Sequence, residues 1–276
     1  MTGQAAKAER FLQLHRGETP LLLPNPWDAG TAKLFASLGF LALATTSSGH
    51  AATLGRFDGR VTQTEALDHA AAIVAATDLP VSADLENCFH HDPAGVADTV
   101  RMAVDAGLAG CSVEDYTGDD EHPIYEPAQA AERVAAAAEA AHSGAVHLVL
   151  TARTENYLHQ RSDLGDTIAR LQAFQEAGAD VLYAPGVTEA RDLQTVVESV
   201  DRPINVLALP GVPPVAELAE IGVARISVGG GFSLVGLGAV SAAARELLNE
   251  GTYGYWEQAG AGATARHAAF DNHVPD

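Results

Sequence analysis

The sequence predicts an α/β chain folded as a (β/α)8 barrel of the TIM type, and three observations carry that expectation. Eight short apolar runs recur along the chain. Alanine-rich segments with helical spacing, such as EALDHAAAIVAAT and PAQAAERVAAAAEAAH, lie between most of them. A glycine stands at the helix-to-strand junction in SLGFLAL, DAGLAGCSVE, EAGADVLYA and EIGVARISV. Strands that alternate with helices imply parallel βα units, and eight such units in 276 residues suit one closed barrel. A doubly wound open sheet is the alternative, but no G-x-G-x-x-G follows the first apolar run.

Taken in order, the expected strands are LLLPN (21–25), LALATT (41–46), PVSAD (80–84), CSVE (111–114), HLVLT (147–151), DVLYA (180–184), PINVL (203–207) and ARISV (224–228). Gly39, Gly107, Gly178 and Gly222 fall where a helix closes in a left-handed turn, the position at which glycine costs least. The barrel should occupy roughly residues 20–240 of a single domain spanning 1–276, with no linker-like break. A C-terminal helical segment, roughly residues 241–270, contains GTYGYWEQAGAGATARHAAF with Trp256.

Composition narrows the function classes. With 36 Asp+Glu against 16 Lys+Arg the net charge is −20, the reverse of the basic footprint that nucleic acid binding needs. A solvated acidic surface is the plain account of that charge, and a small anionic substrate would then need a locally positive site. No run of eighteen apolar residues appears, so no membrane span is expected. The start, MTGQAAKAERFLQLHRGE, is too charged for a signal peptide. Cys88 and Cys111 lack the spacing of a zinc site or a disulfide framework, and a cytoplasmic setting is the simplest expectation. Lys7 and Lys33 are the only lysines and neither ends a strand, which argues against Schiff-base and pyridoxal phosphate chemistry.

In such a barrel the active site lies at the C-terminal strand ends. The residues expected there are Asn25, Thr46, Asp84, Glu114, Arg153, Pro185, Asn205 and Gly229. The stretch VSADLENCFH (81–90) runs a strand into two acids, and alternation puts Asp84 and Glu86 on one side. Asp84, Glu86 and Glu114 should converge opposite Arg153. Carboxylates and water suit Mg2+ or Mn2+, and Arg153 offers a planar fork for a carboxylate. Spacing leaves a structural account equally open, with Asp84 capping the next helix and Glu114 in a plain ion pair with Arg153.

At these residues the chain resembles the isocitrate lyase / phosphoenolpyruvate mutase superfamily, in its phosphonomutase-like subgroup. The pieces that carry the resemblance are TSSGHAATLGRFDG, LPVSADLEN, AGLAGCSVEDY, LTARTENYL, AGADVLYAPG and GVARISVGGG. The resemblance implies a (β/α)8 barrel, Mg2+ and a small carboxylate substrate. It implies a C–C or C–P bond made or broken next to that carboxylate through a metal-stabilised enolate. By position it makes Asp84 the direct metal ligand, with Asp58, Glu86 and Glu114 holding the metal partly through water. It makes Thr46, Ser47 and Ser48 the loop that binds substrate oxygens, Arg153 the carboxylate anchor and Asn205 a distal polar contact. It also implies a C-terminal helix exchanged between subunits, hence a homodimer or homotetramer.

The departures are specific. The loop after the Glu114 strand, EDYTGDDEHPIYEP, lacks both the Lys-Lys-Cys-Gly-His type motif of the family's lyases and the Lys and Asn of its mutases. NCFH stands where the family has Gly-Tyr-Gly, and a Glu of the lyases falls at Pro185. Isocitrate or methylisocitrate cleavage by the usual acid is therefore not expected, nor is standard phosphoenolpyruvate mutation. His122, in DDEHP, is the titratable candidate for moving protons, with a solvated loop histidine as the bland reading. His90, His91, Cys88 and Cys111 are expected to be structural, and VGGGFS (228–233) to serve close backbone packing. The expected activity is Mg2+-dependent cleavage of a C–C bond next to a carboxylate in a small 2-hydroxy or 2-oxo (di)carboxylate. Cleavage of a phosphonopyruvate-like C–P bond and oxaloacetate-type decarboxylation share the enolate and stand as alternatives. A barrel that binds metal and carboxylate without catalysis is the alternative of another class.

Overall fold

The computed structural model describes residues 3–271. Its strands are β1 (Leu21–Leu23), β2 (Leu43–Ala44), β3 (Val81–Asp84), β4 (Gly110–Glu114), β5 (Val149–Arg153), β6 (Val181–Tyr183), β7 (Ile204–Leu207) and β8 (Arg225–Ser227). Its helices are α1 (Gly3–Leu14), α2 (Ala29–Ser37), α3 (Ser47–Thr53), α4 (Gln63–Ala75), α5 (Pro93–Asp105) and α6 (Pro127–His142), then α7 (Leu164–Glu176), α8 (Ala190–Glu198), α9 (Val215–Ile221), α10 (Gly231–Asn249) and α11 (Trp256–Phe270). The sheet runs β1-β8-β7-β6-β5-β4-β3-β2, parallel throughout. The Ala44 N–H donates to the Pro24 carbonyl at 3.1 Å and ties β2 to the end of β1. A sequential, nearly closed ring is the (β/α)8 barrel expected, and it excludes the doubly wound sheet.

Local chemistry sets the element ends. Gly39, Gly107, Gly178 and Gly222 all have positive φ, between 85° and 104°, a turn that costs an L side chain about 1–2 kcal/mol. At the other end of the helices, the side chains of Asp28, Thr62, Asp92 and Asp163 each accept the backbone N–H three residues on. The buried alanines of α6, among them Ala130, Ala137 and Ala141, let it lie close against α5. Helix α1 covers the N-terminal end of the barrel. Its buried Phe11 leaves room for no side chain at Gly110, where a Cβ would sit 2.8 Å from the ring.

Helix α10 departs from this packing. Its most apolar stretch has mean hydropathy 1.3 and is 6% buried, so by length and composition it could cross a membrane. The expectation of no such segment rested on an unbroken apolar run, and small residues break this one without making it polar. Leu234, Val235, Val240 and Leu248 are exposed, and Leu22 in the middle of β1 is left 42% exposed. Helix α11 turns back onto α2 of the same chain, with Phe270 over Gly30.

Candidate active site

The strand C-termini open onto a cavity of about 240 Å³ lined by Thr46, Ser47, Ser48, Asp58, Asp84, Arg153 and Asn205. A wider cleft of about 690 Å³ shares Ser47, Asp58 and Arg153 with it and adds Glu86, Glu114 and Glu155. Asp84, the last residue of β3, is held from two sides. The Ser47 N–H and hydroxyl donate to its Oδ2 at 3.2 and 2.9 Å, and Arg153 Nη1 donates to its Oδ1 at 2.8 Å. Asp92, not Asp84, caps the following helix. Thr46 caps α3 and thereby aims the Ser47 N–H at the cavity.

Arg153, the last residue of β5, meets three carboxylates: Asp84 at 2.8 Å, Glu114 at 3.2 Å and Glu155 at 2.9 Å. Its guanidinium also lies 5.2 Å from the centre of the Tyr183 ring. Burial works against the Arg153 charge, but Glu155, Glu114 and Asp84 hold it protonated. The acids lack enough positive charge to match. Burial, with Asp84 and Asp58 adding, pushes Glu86 up to about 8. Burial pushes Glu155 up to about 7 against the pull of Arg153, and raises Glu114 well above the ordinary carboxylate range. Asp58 is raised by burial and by Asp84. Carboxylates and serine hydroxyls form a donor set for a hard divalent cation. Among the described residues only His142, His147 and Asp180 bring three ligand atoms within 4.8 Å of one another. The acids of the cleft therefore stand wider apart, which suits a cation such as Mg2+ that keeps several of its waters.

The backbone after Asp84 is strained. Glu86, Cys88 and Phe89 have φ of 50°, 58° and 61° without being glycine. Buried Arg133 clamps the segment, donating to the carbonyls of Glu114 at 3.0 Å, Asn87 and His90, and it stacks 4.2 Å over the Tyr125 ring. NCFH thus keeps a left-handed turn where the family has Gly-Tyr-Gly. The neighbouring residues are structural, as expected. His91 Nδ1 pairs with the Tyr125 hydroxyl at 2.6 Å, and His90 packs where Gly95 has no Cβ. Burial pushes the Cys88 thiol up to about 12, and Cys111 is buried as well. In VGGGFS the Val228 and Gly229 N–H groups donate to Asn25 Oδ1 at 2.9 Å, and a Cβ on Gly230 would strike Ser48 Oγ at 2.6 Å.

One expected site residue is not brought to the cleft. The His122 side chain is 84% exposed at the tip of the β4–α6 loop, 3.5 Å from Asp119, and lines neither cavity. The loop's own turn bonds, such as Thr117 Oγ1 to the His122 carbonyl at 2.7 Å, hold it outward in this arrangement. His159, stacked on Tyr116 at 4.1 Å, faces the cleft instead.

Sequence reasoning also missed Glu155 and Arg225. Arg225 opens β8, is 4% exposed, and reaches the central cavity. It donates to Asn205 Oδ1 at 2.9 Å and Thr151 Oγ1 at 3.0 Å, and its Nη1 lies 3.2 Å from His15 Nε2. Its side-chain partners among the described residues are Asn205, Thr151 and His15, none of them an acid, and burial lowers it to about 10. Asn205 is accordingly engaged, its amide also donating to Ser227 Oγ at 3.0 Å. The signal was legible: an arginine inside the apolar run ARISV is out of place unless it faces something polar.

Comparisons with known proteins agree with this geometry. A family model described as phosphoenolpyruvate phosphomutase matches residues 11–248. An uncharacterised protein of Mycobacterium tuberculosis (strain ATCC 25618 / H37Rv) is 32% identical over 238 residues, 86% of this chain and 88% of its own. A 2-methylisocitrate lyase of Halalkalibacterium halodurans is 29% identical over 236 residues, covering 84% of this chain and 74% of its own. The crystal structure of a candidate lyase/mutase from Burkholderia cenocepacia J2315 superimposes with a TM-score of 0.91 at 49% identity, covering 93% of each chain. A match over most of the chain, with strand-end acids and Arg153 gathered in one cleft, means that this chain belongs to the phosphoenolpyruvate mutase family of the isocitrate lyase superfamily.

Proposed function

We propose that the protein is a Mg2+-dependent lyase that cleaves a C–C bond next to a carboxylate in a small 2-hydroxy or 2-oxo dicarboxylate. The observation that carries this reading is the cleft's charge imbalance: Asp84, Glu114 and Glu155 crowd Arg153 while Glu86 and Asp58 sit beside them. Likeness to a 2-methylisocitrate lyase supports the reaction class. Asp84 would hold the cation directly, and Asp58, Glu86 and Glu114 would hold it partly through its waters; Mn2+ fits the same donors. A cation there supplies Lewis acidity towards substrate oxygens.

The chain's own residues do the rest. Arg153 turns its planar fork from the acids to the substrate carboxylate. The Ser47 N–H and hydroxyl, with Ser48 and Thr46, donate to oxygens on which charge develops. Arg225 at the cavity floor, lacking an acid partner, meets the distal carboxylate, with Asn205 fixing its orientation. Oxaloacetate-type decarboxylation would use the same groups. A barrel that binds without turnover is the second reading, favoured by the outward His122 loop.

The exposed apolar face of α10 supports a homo-oligomer, in which α10 packs on a second copy and covers surface such as Leu22.

The test is a thermal melt with oxalate, Mg2+ or both. Oxalate mimics the planar dioxygen face of a 2-oxo acid enolate. A ligand at a hundred times its dissociation constant adds about 2.7 kcal/mol of stability. Joint stabilisation beyond either alone, lost in Asp84→Ala, is expected. No joint effect in the wild-type protein refutes the metal and carboxylate reading together.

A further inference from the structure

A second cluster of metal-ligand type lies at the opposite end of the barrel. His142 is the last residue of α6, His147 shortly precedes β5, and Asp180 immediately precedes β6. All three therefore sit at the N-terminal ends of the strands, the face away from Asp84. His142 Nε2 lies 2.9 Å from Asp180 Oδ2 and His147 Nε2 lies 3.1 Å from Asp180 Oδ1. The imidazole rings stack face to face, centroids 4.1 Å apart and 4° from parallel. One potential ligand atom from each residue falls within a common 4.8 Å.

This arrangement is more than an ion pair. The two imidazoles lie in face contact with their Nε2 atoms turned to one carboxylate, and imidazole nitrogen is the commonest protein ligand for such metals. The carboxylate is already oriented by a backbone bond, the Leu150 N–H donating to Asp180 Oδ2 at 2.9 Å, which is the kind of outer contact that fixes a ligand's direction. Tetrahedral sites with bonds of about 2.0–2.1 Å place their ligand atoms roughly 3.3 Å apart. The two N···O separations of 2.9 and 3.1 Å are slightly shorter than that spacing, and with all three ligand atoms inside 4.8 Å a small adjustment opens the triad around an ion. The His147 side chain, 45% exposed, is free to make the movement and leaves a fourth position for water.

From this geometry we infer that His142, His147 and Asp180 form a second metal site, for a divalent cation of the Zn2+, Ni2+ or Co2+ class. Two nitrogens and one carboxylate oxygen select such ions over Mg2+. Occupancy would staple the end of α6 to the starts of β5 and β6. The site is structural in kind and separate from the acids of the cleft.

Co2+ tests it. The full chain is titrated with Co2+ in excess Mg2+, which keeps the all-oxygen cleft filled, and visible absorption and calorimetry are followed. One equivalent with the strong visible band of a low-coordinate nitrogen-ligated site is expected. Asp84→Ala should keep that band. His147→Ala, an exposed position that the fold tolerates, should weaken Co2+ binding by more than about tenfold, the lower end of what loss of an outer contact alone costs. Asp180→Asn, which retains an acceptor for the Leu150 N–H, should weaken it likewise. A band that survives in both His147→Ala and Asp180→Asn, or disappears in Asp84→Ala, or never forms, overturns the proposal.

Discussion

Glu86→Gln should stabilise the metal-free protein, increasingly so as pH rises. Burial, helped by the charges of Asp84 and Asp58, moves Glu86 from the ordinary 4.5 to about 8. The folded state therefore binds the Glu86 proton more tightly than the unfolded chain does. A group of this kind contributes its full stability below the unfolded value and loses it as pH climbs towards the folded one. Each tenfold gain in proton affinity on folding is worth about 1.4 kcal/mol, so between pH 6 and pH 8 the wild-type protein should lose about 2 kcal/mol through Glu86. Glutamine copies the protonated form in shape and has no charge to lose. Urea melts in EDTA at pH 6 and pH 8 measure the difference, and the gap between variant and wild type should widen by about 2 kcal/mol across that interval. Mg2+ should reverse the ranking at pH 8, because an ionised Glu86 is what helps hold the cation. A gap that is the same at both pH values would show that Glu86 is solvated and ionised throughout, and that the crowding argument is wrong.

Two further outcomes follow from the same geometry. Arg225→Met should weaken malate binding about ten- to hundredfold, the equivalent of one charged hydrogen bond at about 1.5–3 kcal/mol, while leaving Mg2+-dependent oxalate binding unchanged; equal loss of both ligands, at unchanged urea stability, would remove Arg225 from substrate selection. Val240→Glu on the exposed face of α10 should lower the mass seen in sedimentation from an oligomer towards one chain, and a wild-type protein that already sediments as a monomer would defeat the assembly reading.

Much of the fold was legible because its causes are local. Every expected strand is found, within a few residues of its expected ends, since an apolar run between turn signals says nearly the same thing in sequence and in space. The four junction glycines take the left-handed turn for a reason confined to their own backbone. The acids at the ends of β3 and β4 were readable for the same reason, as polarity placed where a barrel strand stops. What was hidden depends on partners far apart in sequence. Glu155 joins the cleft's charge cluster only because Arg153 folds its guanidinium back onto it. Likewise Asp180 reads as an ordinary strand-opening acid until α6 delivers His142 and the next loop delivers His147.

The turn after Asp84 shows why a missing motif need not mean a missing function. Glycine-free backbone at Glu86, Cys88 and Phe89 costs of order 1 kcal/mol or more at each position. That cost falls on the segment that aims Glu86 at the cleft, so a relaxed turn would move an acid away from the expected cation. The compensation comes from Arg133, more than forty residues on, whose guanidinium binds the carbonyls of Asn87 and His90 from below. A buried cation with carbonyl partners and an aromatic ring beneath it is a rigid clamp, because withdrawing it leaves several polar groups unsatisfied at once. Loss of the family's glycines therefore transfers the geometry from backbone freedom to a side-chain bracket, and the acids keep their place.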